Sequence, residues 1–274
     1  MNPQADLHIH TNFSDSTFSP AQVVAEGLKA GLACLAVTDH DTMDGVPPAR
    51  EAALGTNLEI VPGIELSSTI ENKDVHILGY FLQENDPTLR KQLEEIRSIR
   101  RERVRLMVDK LKDLGIGRIE PQEVFALAKE GSVGRPHLAR ILQEKGVVGS
   151  TREAFDRFLA EGRPAYVQKF QLDPYQAIKL IRQAHGVAVL AHPMVTQKDE
   201  LIAGFVEAGL KGLETHYPNC PNTTVEFYEK LAKKYDLVCT GGSDAHGDNR
   251  STTYIGKKTV GIEVVEQLRA LRGQ

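Results

Sequence analysis

His8 and His10 are two residues apart at the end of Asp6-Leu7-His8-Ile9-His10, and two imidazoles so spaced can hold one metal ion through nitrogen. On a β-strand side chains alternate faces, so the spacing predicts both rings and Asp6 on one face, with Leu7 and Ile9 on the other. The polar run from Thr11 to Ser16 stops that strand and leaves the pair at its carboxyl end. Later apolar runs end in the same residue types: Asp39-His40, Glu65, His192, and Asp244 with His246. Another carries His76 near its start. In parallel α/β folds the carboxyl ends of the strands share one face, where sites are built. So many imidazoles and carboxylates gathered there would be costly to bury without cations. His8, His10, Asp15, His40, Glu65, His76, His192, Asp244 and His246 suffice for two or three divalent ions, and Glu65 suits a bridging position. Nitrogen and oxygen donors in this mix favour Mn²⁺, Zn²⁺ or Fe²⁺ over thiolate-selected metals, Mg²⁺ or Ca²⁺.

The elements that must position these residues follow a rhythm. Ser19-Pro20 predicts a capped helix that runs to about Ala30 and ends at Gly31. Strands are expected at Cys34–Thr38, Leu58–Val61 and Asp74–Tyr80, with a helix over Val46–Leu54. Recurrence of strand, helix and strand at about 25 residues predicts βαβ units, an α/β fold with a parallel sheet or barrel. From Pro87 the pattern turns helical: a long amphipathic stretch over Leu89–Leu114, then Pro121–Glu130, Arg135–Glu144 and Thr151–Leu159. Residues 100–170 are therefore expected as a helical insertion in a body made of 1–99 and 171–274. The rhythm resumes with helices over Pro174–Ala184, Asp199–Ala208 and Thr223–Tyr235, and strands over Val187–Ala191, Gly212–Thr215 and Leu237–Thr240.

Composition narrows the function classes. A chain of 274 residues, 41% hydrophobic, can bury one large α/β core. Its formal net charge of −4 gives no global pull toward nucleic acid, so any such contact needs a local patch. Cys34, Cys220 and Cys239 are too few and too far apart for a disulfide framework. No apolar run approaches the roughly 20 residues of a membrane span, and no signal peptide is expected, so the expected location is cytoplasmic. No protein partner can be inferred.

DLHIHTNFSD, TDHDT, PGIELSS, HILGY, LAHP and GSDAH, in this order and across essentially the whole chain, resemble the motifs of the PHP (polymerase and histidinol phosphatase) family. The helical insertion with Gly134-Arg135-Pro136-His137 resembles the branch containing nucleoside 3′,5′-bisphosphate phosphatases and RNase AM-type 5′→3′ exoribonucleases. The resemblance implies a distorted seven-stranded β/α barrel with a trinuclear metal centre. By motif, His8, His10, Glu65 and Asp244 would hold one ion, Glu65, His76 and His192 a second, and Asp15, His40 and His246 a third. Some members carry histidine where this chain has Asp15, which puts the strength or metal preference of the third site in question.

The chemistry so implied is phosphate ester hydrolysis: metal ions lower the pKa of bound water and yield a hydroxide that attacks phosphorus in line, with charge on the other oxygens neutralised. The substrates implied are small nucleotides such as nucleoside 3′,5′-bisphosphates, with short RNA as the alternative. A non-catalytic, metal-stabilised module is the rival from another class. Candidates for the general acid are a metal-bound water, Asp39 or His216, and Asp39 and Asp41 could instead orient His40 or shape a turn. Arg135, His137 and Lys169 are the candidate phosphate-binding residues. His185, before Gly186 at a helix end, reads as structural. Arg97, Arg100, Arg101, Arg103 and Arg105 form the densest basic run, which reads as a solvated helix face or as a track for an RNA backbone.

Overall fold

The computed structural model describes residues 3–128, 131–168, 172–249 and 253–273. The first half alternates β1 (Gln4–Ile9), α1 (Pro20–Lys29), β2 (Cys34–Val37), α2 (Val46–Ala52), β3 (Glu59–Ile70) and β4 (Lys73–Tyr80). A helical stretch follows: α3 (Pro87–Asp113), α4 (Pro121–Ala128), α5 (Arg135–Glu144) and α6 (Thr151–Ala154), the last running into a π-helical turn over Phe155–Leu159. The chain returns through α7 (Pro174–Gln183), β5 (Val187–Leu190), α8 (Pro193–Thr196), α9 (Ile202–Ala208), β6 (Gly212–His216), α10 (Asn222–Lys234) and β7 (Val238–Gly241). It ends with β8 (Val260–Gly261) and α11 (Ile262–Ala270), two elements that the motif reading did not anticipate.

These strands form one eight-stranded sheet in the order β7-β6-β5-β4-β3-β2-β1-β8. The expected seven are joined by β8, which pairs antiparallel with the first residues of β1. The sheet nearly closes on itself: Asp244 N–H donates to the His8 carbonyl at 2.8 Å and His10 N–H to the Ala245 carbonyl at 3.0 Å. A Cβ at Gly242 would sit 2.3 Å from the His8 nitrogen, so only glycine allows this approach.

Besides β8, one further strand departs from the parallel pattern. β4 runs antiparallel to both β3 and β5. Its cause is local: Glu71 and Asn72 both take positive φ (49° and 61°) and close a two-residue hairpin between Ile70 and Lys73. Because β4 is reversed, its first half lies at the end of the barrel where the parallel strands finish. That is why His76, near the start of its strand, can join residues that follow the ends of theirs.

β1 departs from strict alternation too. Its pairing with β2 shifts register between Asp6 and Ile9, the mark of a bulge. Leu7 lies in the cluster inside the barrel with Ala36, Val61, Leu78 and Val189. Ile9 lies in the outer cluster with Val23 of α1, Val46 of α2 and Ile178 of α7. Asp6 therefore does not share the histidines' face as expected; its carboxylate accepts from Ser243 N–H (2.9 Å) and Gly256 N–H (2.8 Å). Burial raises its pKa to about 6 against those hydrogen bonds. Val265 and Leu268 of α11 join the inner cluster.

Helix α3 belongs to two packing units. Leu89, Leu93 and Ile96 join the outer barrel cluster, whereas Val104, Met107, Val108 and Leu111 pack with Val124, Leu138, Leu142 and Leu159 in a separate apolar cluster. Among the described residues, no helix is long and apolar enough to cross a membrane.

Candidate metal centre

The nine residues singled out by type converge at one end of the barrel. Glu65, buried in the middle of β3, is their hub. Its Oε2 lies 3.3 Å from His8 Nε2, 3.2 Å from His10 Nε2 and 3.1 Å from His40 Nδ1. Its Oε1 lies 2.8 Å from His76 Nδ1 and 3.1 Å from His192 Nε2. Asp244 Oδ1 closes the first group, 3.6 Å from His8 Nε2 and 3.3 Å from His10 Nε2, the two ring nitrogens themselves being 3.1 Å apart. Ligands at about 2.0–2.1 Å around a tetrahedral ion stand about 3.3 Å from one another, and this group has that spacing. On the far side, Asp15 Oδ1 lies 3.1 Å from His246 Nε2 and 3.9 Å from His10 Nδ1. The motif grouping put His40 with Asp15 and His246 alone; here it stands within reach of both that group and the Glu65–His76 pair.

The donor set fits divalent cations. Buried His40 Nδ1 and His246 Nε2 lie 3.1 Å from carboxylate oxygens yet lack hydrogen-bond geometry, and buried orphaned polar atoms call for a partner. Burial alone would depress the His8 imidazole, but the carboxylates of Glu214, Glu65 and Asp244 hold it well above its ordinary value. For His10, burial is likewise overcome, by Asp244 and Glu65, and the pKa rises to about 9. Burial works against the ionised Glu65 and Asp15 as well; the surrounding histidines override it and keep both carboxyls well below the usual range. His40 goes the other way, pushed well down by burial. Protons on His8 and His10 occupy positions a cation would take, so metal binding must displace them.

Backbone conformation is also unusual here. His192 and Asp244 take positive φ (26° and 47°), as does Asp41 at 53°. Such conformations cost roughly 1–3 kcal/mol each and cluster at functional sites.

Several supporting residues went unread or were misread in the sequence. Glu214, wholly buried in β6, accepts from His8 Nδ1–H at 2.9 Å and from the His192 backbone N–H at 2.8 Å. It thereby turns His8 Nε2 toward Glu65, an arrangement familiar for metal-ligating histidines. The only sequence signal was a carboxylate next to Leu213 within a short expected strand. Tyr217 O–H donates to Asp244 Oδ2 at 2.7 Å.

Asp39 does not fit the general-acid candidacy. It is wholly buried, and its two oxygens accept from Thr11 N–H (2.7 Å), Thr11 O–H (2.6 Å) and Ser14 O–H (2.6 Å). It shapes the turn after β1 rather than reaching a leaving group. His216 fits no better: its Nδ1 contacts Thr215 Oγ1 at 2.8 Å and its Nε2 faces Glu229 of α10 at 3.5 Å, away from the cluster.

The arginine run is neither a plain solvated face nor an open track. Arg97 pairs with Asp44, and Arg103 Nε–H donates to the Val167 carbonyl. Arg101 and Arg105 lie over Phe125. Arg100 binds Asp41 through both Nε and Nη2, and also Ser67 Oγ and the Val133 carbonyl. This one side chain thus ties the loop after His40, the strand of Glu65 and the segment leading to α5.

Of the phosphate-binding candidates, His137 is buried, its Nδ1 accepting from Gly134 N–H at 3.2 Å, and burial depresses its pKa. Arg135 lines a cavity of about 480 Å³ with Lys73, Tyr166 and Gln168. Lys169 lies outside the described residues.

Comparison with known proteins gives concordant findings. The PHP domain family model matches residues 6–249. A 5′-3′ exoribonuclease of Haemophilus influenzae is 33% identical over 90% of this chain and 91% of its own length. A 3′,5′-nucleoside bisphosphate phosphatase of Chromobacterium violaceum is 30% identical over 92% and 90%. Among solved structures, a Bifidobacterium adolescentis protein assigned as a metal-dependent phosphoesterase superposes with a TM-score of 0.90 at 29% identity, covering 99% of this chain and 98% of that one.

Proposed function

The chain belongs to the PHP domain family, and from that premise we propose that it hydrolyses phosphate esters of nucleotides at the centre built around Glu65. The observation that carries this reading is the single carboxylate within 3.3 Å of five imidazoles. His8, His10, Glu65 and Asp244 would hold one ion, Glu65, His76 and His192 a second, and Asp15, His246 and His40 a third, as Mn²⁺, Zn²⁺ or Fe²⁺. With divalent cations bound, this cluster would offer a water of lowered pKa and neutralisation of phosphoryl charge. The protein's own share is orientation. Glu214 fixes His8 and the backbone at His192, Tyr217 fixes Asp244, and Asp39 fixes the turn that carries Asp15. Arg135 and His137 would bind substrate phosphate from the insertion side; their place in α5, joined to the site through Arg100 and Val133, supports this.

Small nucleotides such as nucleoside 3′,5′-bisphosphates are the first candidate substrates, supported by the Chromobacterium violaceum relative. Short RNA is the second, supported by the Haemophilus influenzae relative. The test is a product assay on Mn²⁺-loaded protein with a nucleoside 3′,5′-bisphosphate and a short 5′-phosphorylated RNA, with Asp244→Ala as the blank. Free phosphate from the first alone identifies a nucleotide phosphatase. Stepwise 5′-mononucleotides from the RNA identify an exoribonuclease. Product from neither, in protein shown to hold metal, refutes the phosphoesterase reading in favour of a metal-stabilised module.

A further inference from the structure

A cavity of about 470 Å³ opens between residues 12–17 of the barrel and helices α4, α5 and α6. Its volume falls within the range typical of small-molecule sites. Asp15 and His246 of the ligand cluster form part of its wall, so whatever occupies it touches the reaction centre. Leu127 and Phe155 supply apolar and aromatic surface, and His137 and Asn12 supply polar atoms. Asn12 Oδ1 is buried without a hydrogen-bond partner, which leaves an acceptor for a ligand N–H. Phe155 stands where α6 widens into the π-helical turn, a feature that recurs at functional sites. Arg135 lies over its ring, with 5.7 Å between Cζ and the centroid.

We propose that this cavity is the nucleoside subsite, which takes the base of the substrate against Phe155 and Leu127, with Asn12 accepting from a base N–H. The aromatic and apolar wall of Phe155 and Leu127 suits a heterocycle, and the one arginine in the lining, Arg140, is already paired with Glu144 at 2.8 Å. The subsite rests on the phosphoesterase reading, and it makes the insertion the part of the chain that selects the nucleoside.

The protein contains no tryptophan, so Phe155→Trp gives a single fluorescent reporter that keeps a ring in the wall. Adenosine 5′-monophosphate should quench its emission saturably, whereas glycerol 2-phosphate at the same concentration should not. Quenching that never saturates, or is equal for both, overturns the proposal. A second variant works from the rim: Ala126, exposed on α4 and lining the cavity, changed to Trp narrows it without entering the core. The ratio of kcat/KM for adenosine 3′,5′-bisphosphate to that for glycerol 2-phosphate should fall about tenfold or more, the scale of one lost base stack. An unchanged ratio overturns the subsite. If the unmodified protein hydrolyses neither ester, the phosphoesterase reading fails, while the fluorescence titration still decides the cavity.

Discussion

Glu214→Gln removes one charge and almost no volume from a wholly buried position. The wild-type carboxylate accepts two hydrogen bonds, from His8 Nδ1–H at 2.9 Å and from His192 N–H at 2.8 Å. An amide offers one oxygen, so its NH₂ must face one of these two donors. If it faces His192 N–H, a buried donor is left unsatisfied. If it faces His8, the ring must present its lone pair at Nδ1 and carry its proton on Nε2, the nitrogen turned to Glu65 and Asp244. Either way a charge-assisted bond worth about 1.5–3 kcal/mol is lost, and metal affinity at the His8 group should fall about 10–100-fold. Chelator competition on the purified protein reads the affinity, and urea denaturation of the metal-free form reads the stability. Affinity unchanged within about twofold would refute the idea that Glu214 orients His8 for ligation.

Other expectations follow from the same contacts. Arg100→Ala strands the buried Asp41 carboxylate and should cost about 3 kcal/mol in urea denaturation; a loss below about 1 kcal/mol contradicts its bridging role. In metal-free protein, His10 has a folded pKa of about 9 against 6.5 ordinarily. Its contribution, about 3 kcal/mol, is therefore complete below pH 6.5 and lost as pH rises through about 9. Glu65, held below its ordinary 4.5, contributes above that pH and loses its share as pH falls through its folded value. Denaturation midpoints of metal-free protein should thus drop between pH 6.5 and 9, and a bound cation in place of the protons should abolish the drop; equal drops in both forms contradict the cluster as the cause. His216→Ala should leave kcat/KM within about twofold, since that ring faces Glu229; a large loss would restore it to the site.

The convergence of the ligand cluster was legible because His8, His10, His40, His192, Asp244 and His246 stand at or just beyond the ends of apolar runs long enough to be strands. The direction of β4 was not. Its hairpin turns on Glu71-Asn72, which lacks the glycine that usually marks such turns. The bulge in β1 was equally hidden, because alternation is a property of regular strands and nothing in Asp6-Leu7-His8 signals an extra residue. Glu214 was passed over since periodicity marks a position as buried without telling what its side chain bonds. Sequence spacing showed the arginines as one helical run; tertiary packing assigned each a different partner, Asp44 for Arg97, Asp41 for Arg100 and Val167 for Arg103.

The central claim is that Glu65 joins the metal groups into one hydrolytic centre. Metal content by mass spectrometry and ester hydrolysis, measured on chelator-stripped and Mn²⁺-reloaded wild type beside Glu65→Gln, test it most directly. Wild type should lose activity on stripping, regain it on reloading and retain at least two ions per chain, while Glu65→Gln should hold fewer ions and be inactive. Full activity in stripped wild type, or undiminished metal and turnover in Glu65→Gln, would contradict it.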